Sequence, residues 1–191
     1  MGGRTMTVEE IFSEISAHMI KGLMVHDQMA KYYCFLNLKG YSKCHKYHYL
    51  CENKDYMDLN HYYHRHHSKL IKEKPVTDPK LIPNSWYSYT REDVDITTKR
   101  NSVKTGLEKW IQWEEDTLAL YSKMYKELFA LGEIADAEYV ADLIEDVSDE
   151  LAQAKSLYIK KKSTDFDIIS IMDDQEPKAI MYWEKIKTIW R

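Results

Sequence analysis

Proline is absent from residues 1–74 and again from residues 84–176, and only six glycines interrupt the whole 191-residue chain. Helix interiors exclude proline and disfavour glycine, so stretches this free of breakers can run as long helices. Three of the four prolines, Pro75, Pro79 and Pro83, stand together between the two free stretches. They predict a long connection with helices on both sides of it.

Apolar spacing divides these stretches further. Thr7, with Glu10 three positions on, reads as a capping box, and Val8, Ile11, Phe12, Ile15, Met19, Leu23, Met29, Tyr33 and Leu36 then recur at helical spacing until Gly40. This is helix A, expected over 7–39. A second breaker-free stretch, helix B over 41–74, has histidine and tyrosine on every face, so its orientation stays ambiguous. The crossover is expected over 75–100. Helix C, over 101–131, carries the cleanest repeat: Leu107, Trp110, Glu114, Thr117, Tyr121, Met124, Leu128 and Leu131. Gly132 ends it. Helix D, over 134–162, follows with Tyr139, Val140, Leu143, Val147, Leu151, Ala154, Leu157 and Tyr158, then the basic run Lys160 to Lys162. A short tail over 163–191 opens its last helix at Pro177 and carries Met181, Trp183, Ile186 and Trp190. With 44% apolar residues, the chain can bury one core, and the expected fold is a single all-α domain over 1–191, a four-helix bundle with one long crossover.

Acidic residues interrupt the apolar stripes. Glu114 falls between Trp110 and Leu118 on helix C, and an ionised carboxylate facing a bundle interior costs several kcal/mol, on the order of 2–5, unless a base, a proton or a cation compensates it. On helix A, Asp27 has Leu23, Met24, Ala30 and Cys34 at helical spacing. On helix B, Asp55 and Asp58 share a stripe with Tyr41, Cys44, His48, Cys51 and Tyr62. On helix D, Asp146 follows Leu143 and precedes Glu150 by one turn. Each long helix thus offers an oxygen ligand, the arrangement from which di-iron and di-manganese centres are built in bundle cores.

These segments resemble the ferritin and bacterioferritin superfamily. KWIQWEEDTLALYSKMYKEL is similar to the third ferritin helix, with Glu114 in the place of its metal-binding Glu, and HDQMAKYYCFLNLKGY resembles the end of the first helix, with Asp27 where the family has Glu. Counted from Gly40 without gaps, the family's Glu-x-x-His falls on Asp55-Tyr56-Met57-Asp58, and the fourth-helix acidic position falls near Asp146, with Asp149 or Glu150 close behind. Glu-x-x-His itself does not occur in the chain. The tail is similar to the short fifth ferritin helix. The resemblance implies a ferritin-like bundle that binds two iron or manganese ions at Asp27, Asp55, Asp58, Glu114 and Asp146, with iron oxidation or storage as its function and a homo-oligomer as its assembly. The alternative is a metal-free oligomeric helical bundle that serves as an interaction or structural protein.

Other function classes find less support. No run approaches the roughly 18 apolar residues of a membrane span, and the amino terminus lacks the layout of a secretion signal, so a cytoplasmic location is expected. A net charge of −4 does not favour nucleic acid over the whole surface. Cys34, Cys44 and Cys51 match no zinc spacing and read as reduced core thiols. The run from His61 to His67 reads as a solvated helix end. A G-x-S-x-G elbow and a Gly-rich phosphate loop are both missing.

Overall fold

The computed structural model describes residues 5–82, 90–167 and Glu184. Among them are four long helices, α1 (Val8–Phe35), α2 (Lys39–His67), α3 (Ile96–Leu131) and α4 (Ile134–Lys162), and one 3-10 turn, Arg91–Asp93, in the crossover. None of these helices is long and apolar enough to cross a membrane.

Local chemistry sets the helix ends. At the start of α1 the Glu10 N–H donates to Thr7 Oγ1 at 3.2 Å while the Thr7 N–H donates to Glu10 Oε2 at 2.9 Å, which completes the capping box. Helix α1 stops earlier than expected. Asn37, at φ 58°, takes the left-handed conformation that turns the chain, and the Leu38 N–H closes the turn on Tyr33 O at 2.9 Å. Asn tolerates this conformation because its short polar side chain bonds locally. Gly40 is therefore not the stop but the second residue of α2. Helix α2 ends at His67, capped by Ser68 at φ 53°, so the crossover begins well before the proline cluster. Helix α3 begins before residue 101 because Asp95 caps it, accepting from the Thr98 N–H at 2.6 Å. Gly132, at φ 81°, supplies the left-handed residue between α3 and α4, where no Cβ opposes it.

The contacts fix the directions of the helices. One apolar cluster joins the end of α1 (Met29, Tyr33) to the start of α2 (Tyr41, Cys44), the first half of α3 (Val103, Leu107, Trp110) and the end of α4 (Ala154, Leu157). The other joins the start of α1 (Ile11, Phe12, Ile15) to the end of α2 (Leu59, Tyr63), the end of α3 (Met124, Leu128) and the start of α4 (Val140, Leu143). Helices α1 and α2 are thus an antiparallel pair, α3 and α4 another, and α2 runs parallel to α3. The crossover must return along the bundle: Ile71 packs in the second cluster, Leu81 and Val94 in the first. It is pinned on the way by the Lys74–Glu14 ion pair, by the Leu81 N–H donating to Gln28 Oε1 at 2.8 Å and by Lys109 Nζ donating to Leu81 O at 3.0 Å. The expected tail helix from Pro177 lies outside the described residues, but Phe166 is buried in the first cluster.

The apolar core is not continuous. Between the two clusters the inner faces carry His26 on α1, His45, His48 and Glu52 on α2, Glu114 on α3 and Glu150 on α4. Four of these, His26, His45, His48 and Glu114, are no more than 1% exposed. A bundle that breaks its core at mid-height with ionisable side chains gives up apolar burial there, and the groups concerned define the site.

Candidate metal centre

Helix α2 sets much of the waist, and its phase differs from the expected one. The inward stripe runs Tyr41, His45, His48, Glu52, Asp55, Leu59, Tyr63, while Asp58 points outward. Tyr41, His48 and Asp55 belong to the expected stripe as well, but polar residues on every face of α2 leave the period without contrast, and Glu52, Leu59 and Tyr63 stand inward one position beyond the expected Cys51, Asp58 and Tyr62. The side chain of Glu52 lies against α1 at Gly22, where an added Cβ would stand 2.7 Å from its carboxylate oxygen. Glycine at that position makes room for the Glu52 carboxylate.

Three elements converge on one point. His26, Glu114 and Glu150 each present a ligand atom, and all of these atoms lie within 4.8 Å of one another. Trp110 Nε1 donates to Glu114 Oε1 at 2.8 Å and so orients that carboxylate from one turn earlier in α3. His48 Nδ1 donates to Glu150 Oε1 at 3.0 Å. His26 and His45 meet through their Nδ1 atoms at 3.1 Å, and the rings of His26 and His48 stack at 5.3 Å. Beside this group Met19, Glu52, Asp55, Tyr121, Leu143, Asp146, Val147 and Glu150 line a cavity of ≈ 20 Å³, room for one water or a small ion.

Burial and mutual repulsion disfavour unpaired negative charge at this waist. Burial, then repulsion from Glu150, pushes Glu114 up to about 8 against the opposing pull of His48 and the Trp110 hydrogen bond. Burial, followed by Glu150, Glu114 and Asp55, raises Glu52 well above the carboxylate range, and burial lifts Asp55 to about 7. Asp146, at the rim, is raised by partial burial and by Glu150. Burial opposes a charge on His48, but Glu150 outweighs it and raises His48 well above its ordinary value. His26 and His45 are held neutral by burial and by the neighbouring His48. Against this acidic background the buried Nε2 of His26 has no hydrogen-bond partner, and it stands 3.9 Å from Glu114 Oε1. An imidazole lone pair beside two carboxylates is a donor set that a divalent transition metal fits.

A pH dependence follows. Between pH 6.5 and 8 the folded protein keeps protons on Glu114 and His48 that the unfolded chain has released, so stability falls as pH rises through this window. His26 and His45, neutral in the folded protein but half-protonated near pH 6.5 in the unfolded chain, partly offset this slope at the acid end of the window. Glu114 alone contributes about 2 kcal/mol over those 1.5 units at about 1.4 kcal/mol per unit. Thermal unfolding in chelator at pH 6.5, 7.2 and 8 measures it, and Glu114→Gln is expected to flatten the slope.

The residues singled out in the sequence divide between the site and the surface. Glu114 stands in the convergent group, and Asp55 and Asp146 line the adjoining cavity, Asp146 from an exposed position. Asp27 is 43% exposed and pairs with Lys31 at 2.5 Å, and Asp58 is 51% exposed and pairs with Lys54 at 2.5 Å. Both are one residue away from the helical phase that faces inward. His26, His48, Glu52 and Glu150 complete the arrangement. Glu150 was visible one turn beyond Asp146 and His48 on the α2 stripe, whereas His26 and Glu52 had no flanking pattern to mark them. Elsewhere, His61 and His64 are exposed, and His67 reaches Asp136, which also accepts from the Tyr62 hydroxyl. The cysteines are free; Cys44 is a buried thiol, but Cys34 is exposed because α1 turns that face to solvent.

No protein-family model matches the sequence, and no curated protein does. Among solved structures the chain is similar to an open-pore ferritin from the hyperthermophilic archaeon Archaeoglobus fulgidus, with a TM-score of 0.74 at 15% identity over 90% of this chain and 94% of that one. A closed form of the same organism's ferritin, engineered by site-directed mutagenesis, matches equally, with 93% of its chain covered. The fold is an all-α, ferritin-like four-helix bundle.

Proposed function

We propose that this ferritin-like bundle binds a pair of divalent transition-metal ions, iron or manganese, at its polar waist and that it takes part in iron oxidation or storage. The convergence of His26, Glu114 and Glu150 from three helices, with atoms mutually within 4.8 Å, carries this reading. Those residues would hold one ion, and Glu52, Asp55 and Asp146, with Glu150 shared, would hold the other. Carboxylate and imidazole donors suit iron and manganese. The similarity to two ferritin structures supports iron as the substrate and a homo-oligomer as the assembly, and the cytoplasm is the location this implies.

The chain's own residues prepare the site. Glu114 stores a proton near neutral pH and must release it for a dication to take its place. Trp110 donates to Oε1 of that carboxylate, the oxygen 3.9 Å from His26 Nε2, and so sets its orientation toward the site. Met19, Leu143 and Val147 present apolar walls to the acidic cavity, which limits water and strengthens every charge interaction within it. Iron as substrate would supply electrons to dioxygen or peroxide, with the carboxylates retaining the oxidised ion.

Metal content of protein purified without chelator and reloaded anaerobically with Fe(II) tests the reading. Wild type is expected to retain stoichiometric metal, a Glu114→Ala, Glu150→Ala variant to lose it, and an Asp27→Ala, Asp58→Ala variant to retain it. Equal, sub-stoichiometric metal in all three would refute the centre.

A further inference from the structure

His45 is as deeply buried as His26 and Glu114, and among the described residues its ring-nitrogen contact is to His26 rather than to a carboxylate. The two Nδ1 atoms stand 3.1 Å apart. Two imidazoles can share such a contact only if one ring carries its proton on Nδ1 and the other presents a lone pair there. If His45 carried that proton, His26 would have its own on Nε2, a buried donor 3.9 Å from the nearest Glu114 oxygen and without a hydrogen-bond partner. If His26 carries it, His26 Nε2 is a lone pair facing Glu114 and Glu150, placed to ligate a cation between them.

The surroundings hold the His45 ring against His26. Its ring lies parallel to Tyr33, 5.4 Å away at 12°, and meets the edge of Trp110 at 5.0 Å and 69°. Tyr33 and Trp110 are themselves enclosed, so the ring cannot swing away from His26. Metal-ligating histidines commonly donate their second N–H to a carboxylate or carbonyl, which fixes tautomer and orientation. Here a second imidazole stands in that position.

We propose that His45 is a positioning residue of the metal centre: by accepting from His26 Nδ1 it leaves His26 Nε2 as a lone pair directed at Glu114 and Glu150. This rests on the metal-centre reading above, and its test separates the two. Zinc serves as a diamagnetic probe on the full chain, with affinity measured by competition against a chelating dye and tautomers read from long-range proton–nitrogen correlation spectra. With His26→Ala as the control, zinc binding as tight as wild type would remove His26 from the centre and defeat the reading itself. With that control weakened, His45→Phe, which keeps a ring of similar size without an acceptor, is expected to bind zinc about 10- to 100-fold more weakly. Affinity equal to wild type would overturn the role of His45 while leaving the centre intact. Should His45→Phe not fold, the spectrum of wild type decides. A proton on His26 Nδ1 with zinc on Nε2 supports the proposal, and a proton on His45 Nδ1 facing His26 overturns it.

Discussion

Divalent metal at a thousand times its Kd is expected to stabilise the bundle by about 4 kcal/mol, the value that mass action gives for a ligand bound only by the folded state. The gain has a local cause: Glu52, Asp55, Glu114 and Glu150 crowd one waist, and burial, reinforced by their mutual repulsion, raises Glu52, Asp55 and Glu114. A dication converts that repulsion into coordination. Unfolding in urea with Mn²⁺ or with chelator at pH 7.5 measures the difference. Glu114→Gln separates the two contributions because the amide oxygen can still accept from Trp110 Nε1 but carries no charge. This variant should be more stable than wild type in chelator and gain far less from metal. A wild type whose midpoint does not move with Mn²⁺ or Fe(II) would exclude a site formed by these residues.

The second large effect concerns Gly106. A Cβ built there would fall 1.9 Å from Tyr33 Oη and 2.8 Å from its Cζ, and Tyr33 is completely buried. Ala in the middle of a helix normally gains about 1 kcal/mol over Gly. At this position overpacking should reverse the sign, so that Gly106→Ala destabilises by about 1–3 kcal/mol. Tyr33 Oη has no hydrogen-bond partner among the described residues, so Tyr33→Phe alone should change stability little. Combined with Gly106→Ala it should recover part of the loss, because the atom at 1.9 Å is gone while the ring remains. Chemical denaturation of the two single variants and the double variant closes the cycle. Additive effects would mean that the two side chains do not meet. Tyr33 also stacks on His45, so this contact joins the α1–α3 packing to the histidine cluster.

Legibility in the sequence followed the contrast between apolar and polar positions. Helix α3 alternates large apolar residues with charged ones, so its inner stripe from Leu107 to Leu128 and the intrusion of Glu114 were both visible. Helix α2 has no such contrast. Its inner stripe holds His45, His48, Glu52 and Asp55; the expected stripe includes His48 and Asp55, but with polar residues on every face the phase that also turns His45 and Glu52 inward is set by packing against the other helices. Asp27 illustrates the same difficulty from the other side: its neighbours at helical spacing are apolar, yet the adjacent His26 is the residue turned inward. One residue is a rotation of about 100°, enough to exchange a ligand for a surface ion pair.

The missing prolines, the Thr7 capping box, Gly132 and the clustered Pro75, Pro79 and Pro83 were enough to determine a helical chain of two pairs with a long crossover, because breakers and caps act through the local backbone. Which side chains meet at the waist is a property of four helices packed together. It depends on helix rotation, on the space that Gly22 leaves for Glu52 and on the enclosure that holds His26 against His45. None of these can be stated for one helix alone, so the bundle belongs to the sequence and the centre to the tertiary structure.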